Sequence, residues 1–371
     1  MSTLKVDAIR HNSATSDAIT TAADGTCTAN ITNKPNRNLI INGAMQVAQR
    51  GTSSTASGYG SVDRMNQQYG STDEAPTFAQ VDVASGTTPY TLGFRKALRI
   101  TNGNQTSGAG SSDYLYAQTV LEAQDIANSG WNYTSSSSYI TISYWVKSSV
   151  AQNFYGLITS SDGTAQAYVW ETGSLTADTW TKITKTISGN SNLVFNNDNG
   201  AGMYVAPIRA FDGTDRTGSM SLNSWAAYSS SARTPDQTST WYTTNDATLE
   251  ITGLQLEVSD HATSFQFRSF AEELALCQRY YEETYVMTDA GNSYVRLSVL
   301  YKVEKRVAGT PVSYAKRPDG VGTGAANKSY QADGERTTSC NYSWTGGTMV
   351  FVSGYSANTD CFSNVRVDVE L

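Results

Sequence analysis

The sequence predicts an all-β protein made of sandwiches, and three observations carry that expectation. Short segments of alternating apolar and polar residues recur between Gly, Asn and Asp clusters, the pattern of β-sandwiches and jelly rolls. Residues suited to pleated strands and tight turns are abundant, with 22 Tyr, 30 Gly, 44 Ser and 46 Thr among 371 residues. Only one stretch, near residue 270, carries both the cap and the spacing of a helix. At about 150 residues per domain the length allows two to three domains, each able to bury a core.

Residues 1 to 37 read as an arm. LKVDAIR alternates and DAITTAADGTCTANIT turns at Asp24-Gly25, but neither holds the apolar mass for a core, and a lone hairpin is marginal in water. Such a segment orders by adding strands to a neighbour's sheet or by packing on copies of itself, which makes it a candidate attachment element. From Leu39 short strands follow at regular spacing: LIING, KALRIT (96–101), SYITISYWVKSS (138–149), NFYGLIT, QAYVWE, TKITKTIS and TLEITGLQLEV (248–258). Alternation puts Ile142, Tyr144 and Val146 on one face. Leu249 and Ile251 are out of phase with Leu254, Leu256 and Val258, which predicts a bulge at Gly253. Between Asn190 and Thr243 periodicity is low, and NNDNGAG and SSSARTPDQTST read as long surface loops.

SFAEELALCQRYYEE is the helix. Ser269 stands at the N-cap and Glu272 three residues on, a capping box that starts the helix at Phe270. Phe270, Leu274, Cys277 and Tyr281 then form an apolar seam able to face a sheet, its own domain or other helices, so this segment is a linker or trimer helix. Strands return in NSYVRLSVLYKV, GTPVSYAK, TTSCNYSWTG, TMVFVSGYS and NVRVDVEL. The last alternates Val365, Val367, Val369 and Leu371 and is expected to be tied into a sheet. The loops of this smaller β domain contain Tyr330, Arg336, Tyr342, Trp344 and Tyr355.

Composition removes several functions. Charged residues are 16% of the chain and the net charge is −7, with a pI near 5.0, so the basic stripe that nucleic-acid phosphates demand is missing and no nucleic-acid partner is expected. No apolar run is long enough for membrane insertion, and the first residues lack the apolar centre of a signal peptide. Cys27, Cys277, Cys340 and Cys361 form no CxxC pair, which argues for reduced thiols and against a zinc cluster. Two isolated histidines, His11 and His261, are a poor basis for a nucleophilic triad.

Carbohydrate recognition uses aromatic faces to stack on pyranose rings and planar polar groups to read hydroxyls, and both are plentiful. Of the seven tryptophans, Trp145 and Trp170 sit inside strand patterns and read as core, whereas Trp344, beside Tyr342 and the Gly346-Gly347 turn, is the best candidate for exposed stacking. Glycan cleavage needs two carboxylates about 5–10 Å apart. Asp212, Asp215, Asp319, Asp333 and Glu335 lie at spacings typical of turns and Asx motifs, no coil-length repeat of a β-helix occurs, and no EF-hand loop is present. The expectation is a chain that is not an enzyme and needs no cofactor or metal.

NLIINGAMQVAQRGTS (38–53) resembles the opening of a domain common in tail-fibre proteins of bacteriophages and prophages. GYGSVDRM (58–65) resembles that family's Asp-Arg step, with Met65 where an aromatic is usual. Residues 116–149 resemble the strand, short helical turn and Trp-Val-Lys strand of a carbohydrate-binding-module-like jelly roll. TWTKITKTISGN and TLEITGLQLEVSDHATSFQFRSFAEELALCQRYYE resemble its end and its exit helix. YKVEKRVAGTPVSY and VRVDVEL are similar to the fibre-tip sandwich that follows, and the first residues resemble the virion-attachment segment of cyanophage-type fibres. Residues 210–245, rich in Ser, Thr and Asn, depart from the pattern.

The resemblance implies a receptor-binding protein or tail fibre in four parts: a virion-attachment arm (1–37), a jelly-roll domain (38–264), a linker helix (265–283) and a C-terminal receptor-binding β-sandwich (284–371). It implies a homotrimer, assembled in the host cytoplasm, that joins phage tail proteins through residues 1–37 and meets a host-surface glycan or other receptor by weak multivalent contacts. A purely structural tail or baseplate component and a glycan-degrading tailspike hydrolase are the alternatives.

Overall fold

The structure, a computed structural model, describes residues 6–13, 17–21, 23, 25, 27–29, 37–213, 220–290, 294–308, 312–314, 340–344, 346–353 and 359–371. In the arm, β1 (Ala8–Ile9), β2 (Ile19–Thr21) and β3 (Cys27–Ala29) pair as a three-stranded antiparallel sheet. The main body contains β4 (Ser53–Ser54), β5 (Asn66–Gly70), β6 (Thr77–Asp82), α1 (Thr88–Thr91), β7 (Lys96–Thr101), β8 (Tyr114–Glu122) and α2 (Ala123–Ala127). It continues with β9 (Tyr139–Ser148), β10 (Asn153–Ser160), β11 (Gln166–Ser174), β12 (Thr181–Ser188), β13 (Ala201–Asp212), β14 (Trp225–Ala227), α3 (Thr240–Thr243) and β15 (Thr248–Glu257). After α4 (Phe270–Gln278) come β16 (Tyr281–Ala290), β17 (Tyr294–Leu300), β18 (Val312–Tyr314), β19 (Cys340–Trp344), β20 (Gly347–Ser353) and β21 (Thr359–Asp368).

The body is a sandwich of two antiparallel six-stranded sheets, β14-β11-β10-β13-β8-β5 and β12-β9-β15-β7-β6-β4, an all-β jelly-roll arrangement. Ile142, Tyr144 and Val146 all point inward from β9 and are fully buried with Trp170, Val205 and Phe211 of the facing sheet. The Trp170 indole nitrogen donates to the Tyr144 hydroxyl at 3.1 Å, which satisfies both polar atoms between the sheets. A Cβ on Gly156 would lie 2.2 Å from the Trp170 ring and 2.6 Å from the Pro207 carbonyl. Only glycine lets β10 pass there. The register of β15 on β9 shifts between Thr252 and Gln255, and Gly253 has φ +65°, so the bulge lies where the phase change put it.

Three segments depart from the sequence reading. Residues 39–43 (LIING) are turns rather than a strand: Asn42, at φ +60°, holds the bend by donating to the carbonyls of Val47 and Asp63 and accepting from the Val47 amide. The supposed loop region 190–243 contains β13, the longest strand, at the middle of the first sheet. Its outward face is also covered, with Met220 packing on Leu157, Val169 and Ala206, so MYVAPIRAF is almost continuously apolar and shows no alternation. Pro207, which has no N–H to give a ladder, sits where the register with β8 shifts between Val205 and Ile208. Finally, α4 ends at Gln278, and Tyr281 opens β16 instead of continuing the helical seam.

The C-terminal region forms two three-stranded sheets, β16-β21-β18 and β17-β20-β19. β16 and β21 pair over ten residues, from Tyr281 opposite Asp368 to Ala290 opposite Thr359. Where this stem meets the body, buried charges and aromatic rings interlock. Arg50 pairs with Asp368 at 2.9 Å and Glu370 at 3.3 Å, and its guanidinium lies 3.7 Å from the Tyr281 ring centre. Arg64, almost wholly buried, bonds Glu370 and the Val120 carbonyl and stacks 3.4 Å from the Tyr280 ring centre. Glu122 receives Arg279 at 2.8 Å and the Tyr280 hydroxyl at 2.6 Å. Burial pushes the Glu370 carboxyl above its ordinary value against the pull of Arg64 and Arg50. At Glu122 burial acts the same way, but the bonds from Arg279 and Tyr280 outweigh it and hold the carboxyl low.

Candidate functional site

Of the ligand-contact residues expected in the C-terminal loops, Tyr330, Arg336 and Tyr355 lie outside the described residues. Tyr342 and Trp344 belong to β19, an edge strand, rather than to a loop. The reason is the short connection: Trp344 pairs with Gly347 across a tight hairpin, which extends β19 and β20 to either side of it. Along the proposed helix seam Phe270 is exposed, Leu274 half-buried and Cys277 buried, while Tyr281 lies under Arg50. Burial, with Asp63 and Glu273 nearby, pushes the Cys277 thiol well up, which keeps it an unreactive neutral group. His11 and His261 are both exposed.

A concave feature lined by aromatic rings lies elsewhere among the described residues, on the outward face of the second sheet. The segment that leaves β15 runs back as Ser264-Phe265-Gln266-Phe267-Arg268 and alternates like a strand. Gln266 and Arg268 turn one way and clamp residues 38–40: the Gln266 side chain accepts from the Asn38 amide at 2.6 Å, and Arg268 donates to the carbonyls of Asn38 and Ile40. Phe265 and Phe267 turn the other way, each within about 5 Å of the Phe94 ring (4.9 and 5.1 Å between centres) and 4.9 Å from each other. Two glycines make room for this trio. A Cβ on Gly253 would come 2.7 Å from the Phe94 ring, and one on Gly93, at φ +107°, 3.1 Å from the Phe267 ring.

With Trp145 from β9, Lys182 from β12 and Leu92, these rings line a groove of about 360 Å³. Ser143, Thr263 and Ser264 complete its wall. The charges beside it are neutralised in place: Glu250 takes both Arg99 at 2.6 Å and Lys147 at 2.8 Å, and Glu257 takes Arg37 at 3.2 Å and the Thr263 hydroxyl at 2.7 Å. An aromatic floor with hydroxyls and one ammonium at its rim suits a ligand with apolar faces and polar edges, as a sugar ring has.

A larger cleft of about 650 Å³ opens on the other side of the same segment, lined by Arg37, Asn38, Gln124, Asp125, Asn128 and Arg268 among others. It contains no aromatic platform, and its two arginines are committed to Glu257 and Glu273. Among the described residues no three His, Cys, Asp or Glu side chains come together as metal ligands would. Sequence reasoning placed Trp145 in the core and overlooked the groove. The alternation of Phe265 and Phe267 was the available signal, but their meeting with Trp145 and Lys182 depends on strand order.

No family model and no curated protein matches the chain. Solved structures give distant likenesses. The enzymatically active domain of tailspike protein 4 from bacteriophage CBA120 is 10% identical, with a TM-score of 0.32 over 62% of this chain and 24% of that one. A family 11 carbohydrate-binding module from Clostridium thermocellum, in complex with a mixed-linked tetrasaccharide, is 10% identical with a TM-score of 0.26 over 56% of this chain and 96% of that one. The carbohydrate-binding and catalytic modules of xylanase 10B from the same organism reach 10% identity and 0.27, over 52% and 26% of the two chains. Likenesses this faint carry no argument about the activity of the chain.

Proposed function

We propose that this chain is a non-enzymatic adhesin of a phage particle: a homotrimeric tail fibre protein that holds the virion to a host-surface glycan, its arm of residues 1–37 engaging the tail. The observation that carries the reading is the groove of Phe94, Phe265, Phe267 and Trp145 rimmed by Ser143, Thr263 and Lys182, an arrangement suited to stacking and edge-reading of a sugar ring. The hydroxyl-rich, low-charge composition and the sequence resemblance to tail fibres support it. Trimerisation supplies the strength that an open groove lacks, because three weak sites on one particle raise each other's effective concentration.

Adsorption tests the proposal. Purified full-length protein, its mass in solution fixed by light scattering, is expected to be trimeric, to bind susceptible host cells saturably and to protect them from infection. Trimers that neither bind cells nor protect them would move the chain to the structural components of the tail, and release of reducing ends from host polysaccharide would make it a hydrolase.

A further inference from the structure

On the outward face of the second sheet, β9 and the chain entering β12 set two tryptophan-lysine pairs next to each other. The register places Lys182 directly opposite Trp145, and one step along Lys147 lies 5.3 Å from the Trp180 ring centre. The two lysines differ in what holds them. Lys147 is tied to Glu250 at 2.8 Å, Arg99 of the same face is engaged by that carboxylate at 2.6 Å, and neighbouring Arg95 donates to the carbonyls of Tyr90 and Phe94. Lys182 has no hydrogen bond or ion pair among the described residues, and it is the one charged side chain in the lining of the groove. Every other lining residue is aromatic, aliphatic, a hydroxyl or glycine.

An aromatic platform with one uncompensated ammonium at its edge discriminates by charge. A neutral sugar would use the rings and hydroxyls and leave the ammonium to water. A sugar bearing an anion would use both, gaining a charge-assisted bond at the margin of an apolar floor. We infer that the groove takes an acidic glycan, a pyranose carrying a carboxylate or a sulfate ester, with its ring against Trp145 and the phenylalanines and its anion on Lys182. This rests on the glycan-binding reading above and narrows it. The competing account of Lys182 is a guard charge on β12, an edge strand, against pairing with other chains. Lys185 on the same strand separates the two accounts, because its register opposite Ile142 places it on the other face of the sheet.

The experiment uses the full chain on a glycan array printed with neutral, carboxylated and sulfated glycans, with Lys182→Gln, Lys185→Gln and Trp145→Ala in parallel. Wild type is expected to bind acidic spots, carboxylated, sulfated or both deciding which anion is read. Lys182→Gln should lose about three- to tenfold in apparent affinity for them, Trp145→Ala should lose all retention, and Lys185→Gln should match wild type. Equal binding of neutral and acidic glycans, or acidic binding that survives Lys182→Gln unchanged, overturns the charge assignment and leaves glycan binding standing. A folded protein that binds no spot overturns both.

Discussion

Among the places where this molecule sets cations beside aromatic rings, two have opposite outcomes. At the junction between body and stem, Arg64 and Arg50 stack on Tyr280 and Tyr281, and each is paired with a carboxylate, Arg64 with Glu370 and Arg50 with Asp368 and Glu370, Arg64 also donating to the Val120 carbonyl. On the second sheet, Lys182 stands opposite Trp145 with no acid among the described residues to answer it. The same residue types therefore make a lock where each guanidinium meets a carboxylate, and a groove margin where one ammonium is left to solvent. What separates them is whether a carboxylate from a distant part of the chain arrives to complete the set.

The contrast can be broken most severely at Arg64. Arg64→Ala leaves Glu370 buried beside Arg50 alone and opens a void under Tyr280, so a loss of about 3–5 kcal/mol is expected in urea unfolding; a loss below about 1 kcal/mol would make the junction dispensable. Glu122→Gln should cost about 2 kcal/mol near neutral pH, by removing the charge from the bonds to Arg279 and Tyr280. The folded Glu122 carboxyl is held below its ordinary 4.5, so its stabilisation is present above that value and fades as pH falls through the folded pKa. The gap between wild type and Glu122→Gln should accordingly close in strong acid, and a gap independent of pH would contradict the assignment. Lys182→Gln is the sharpening control: with no partner to lose, it should unfold within about 0.5 kcal/mol of wild type, and a larger loss would mean that Lys182 belongs to a lock after all.

Local features were legible in the sequence. The inward face of Ile142, Tyr144 and Val146, the bulge at Gly253 and the Ser269–Glu272 capping box each depend on residues a few positions apart. β13 was not legible, because a strand covered on both faces loses its alternation and Pro207 reads as a breaker until the bulge that accommodates it is seen. The Asp63-Arg64 step stood out as a motif, yet its meaning lay in Glu370, 306 positions away. The groove was half legible: Phe265 and Phe267 alternate visibly, whereas the approach of Trp145 and Lys182 follows from β12 pairing with β9 and from two glycines that admit Phe94.

The ten-residue pairing of β16 with β21 also has a consequence for how such a protein changes over generations. Tyr281 stands opposite Asp368, so the segment between them departs and returns at one double-stranded root, and within it Lys305 and Arg306 fasten back onto Gln278, Arg279 and Asn199. An exchange of this cassette that kept the root, Lys305, Arg306 and Glu370 would leave the body, the groove and the lock untouched. The cassette is thereby free to drift with its surroundings while the body stays fixed.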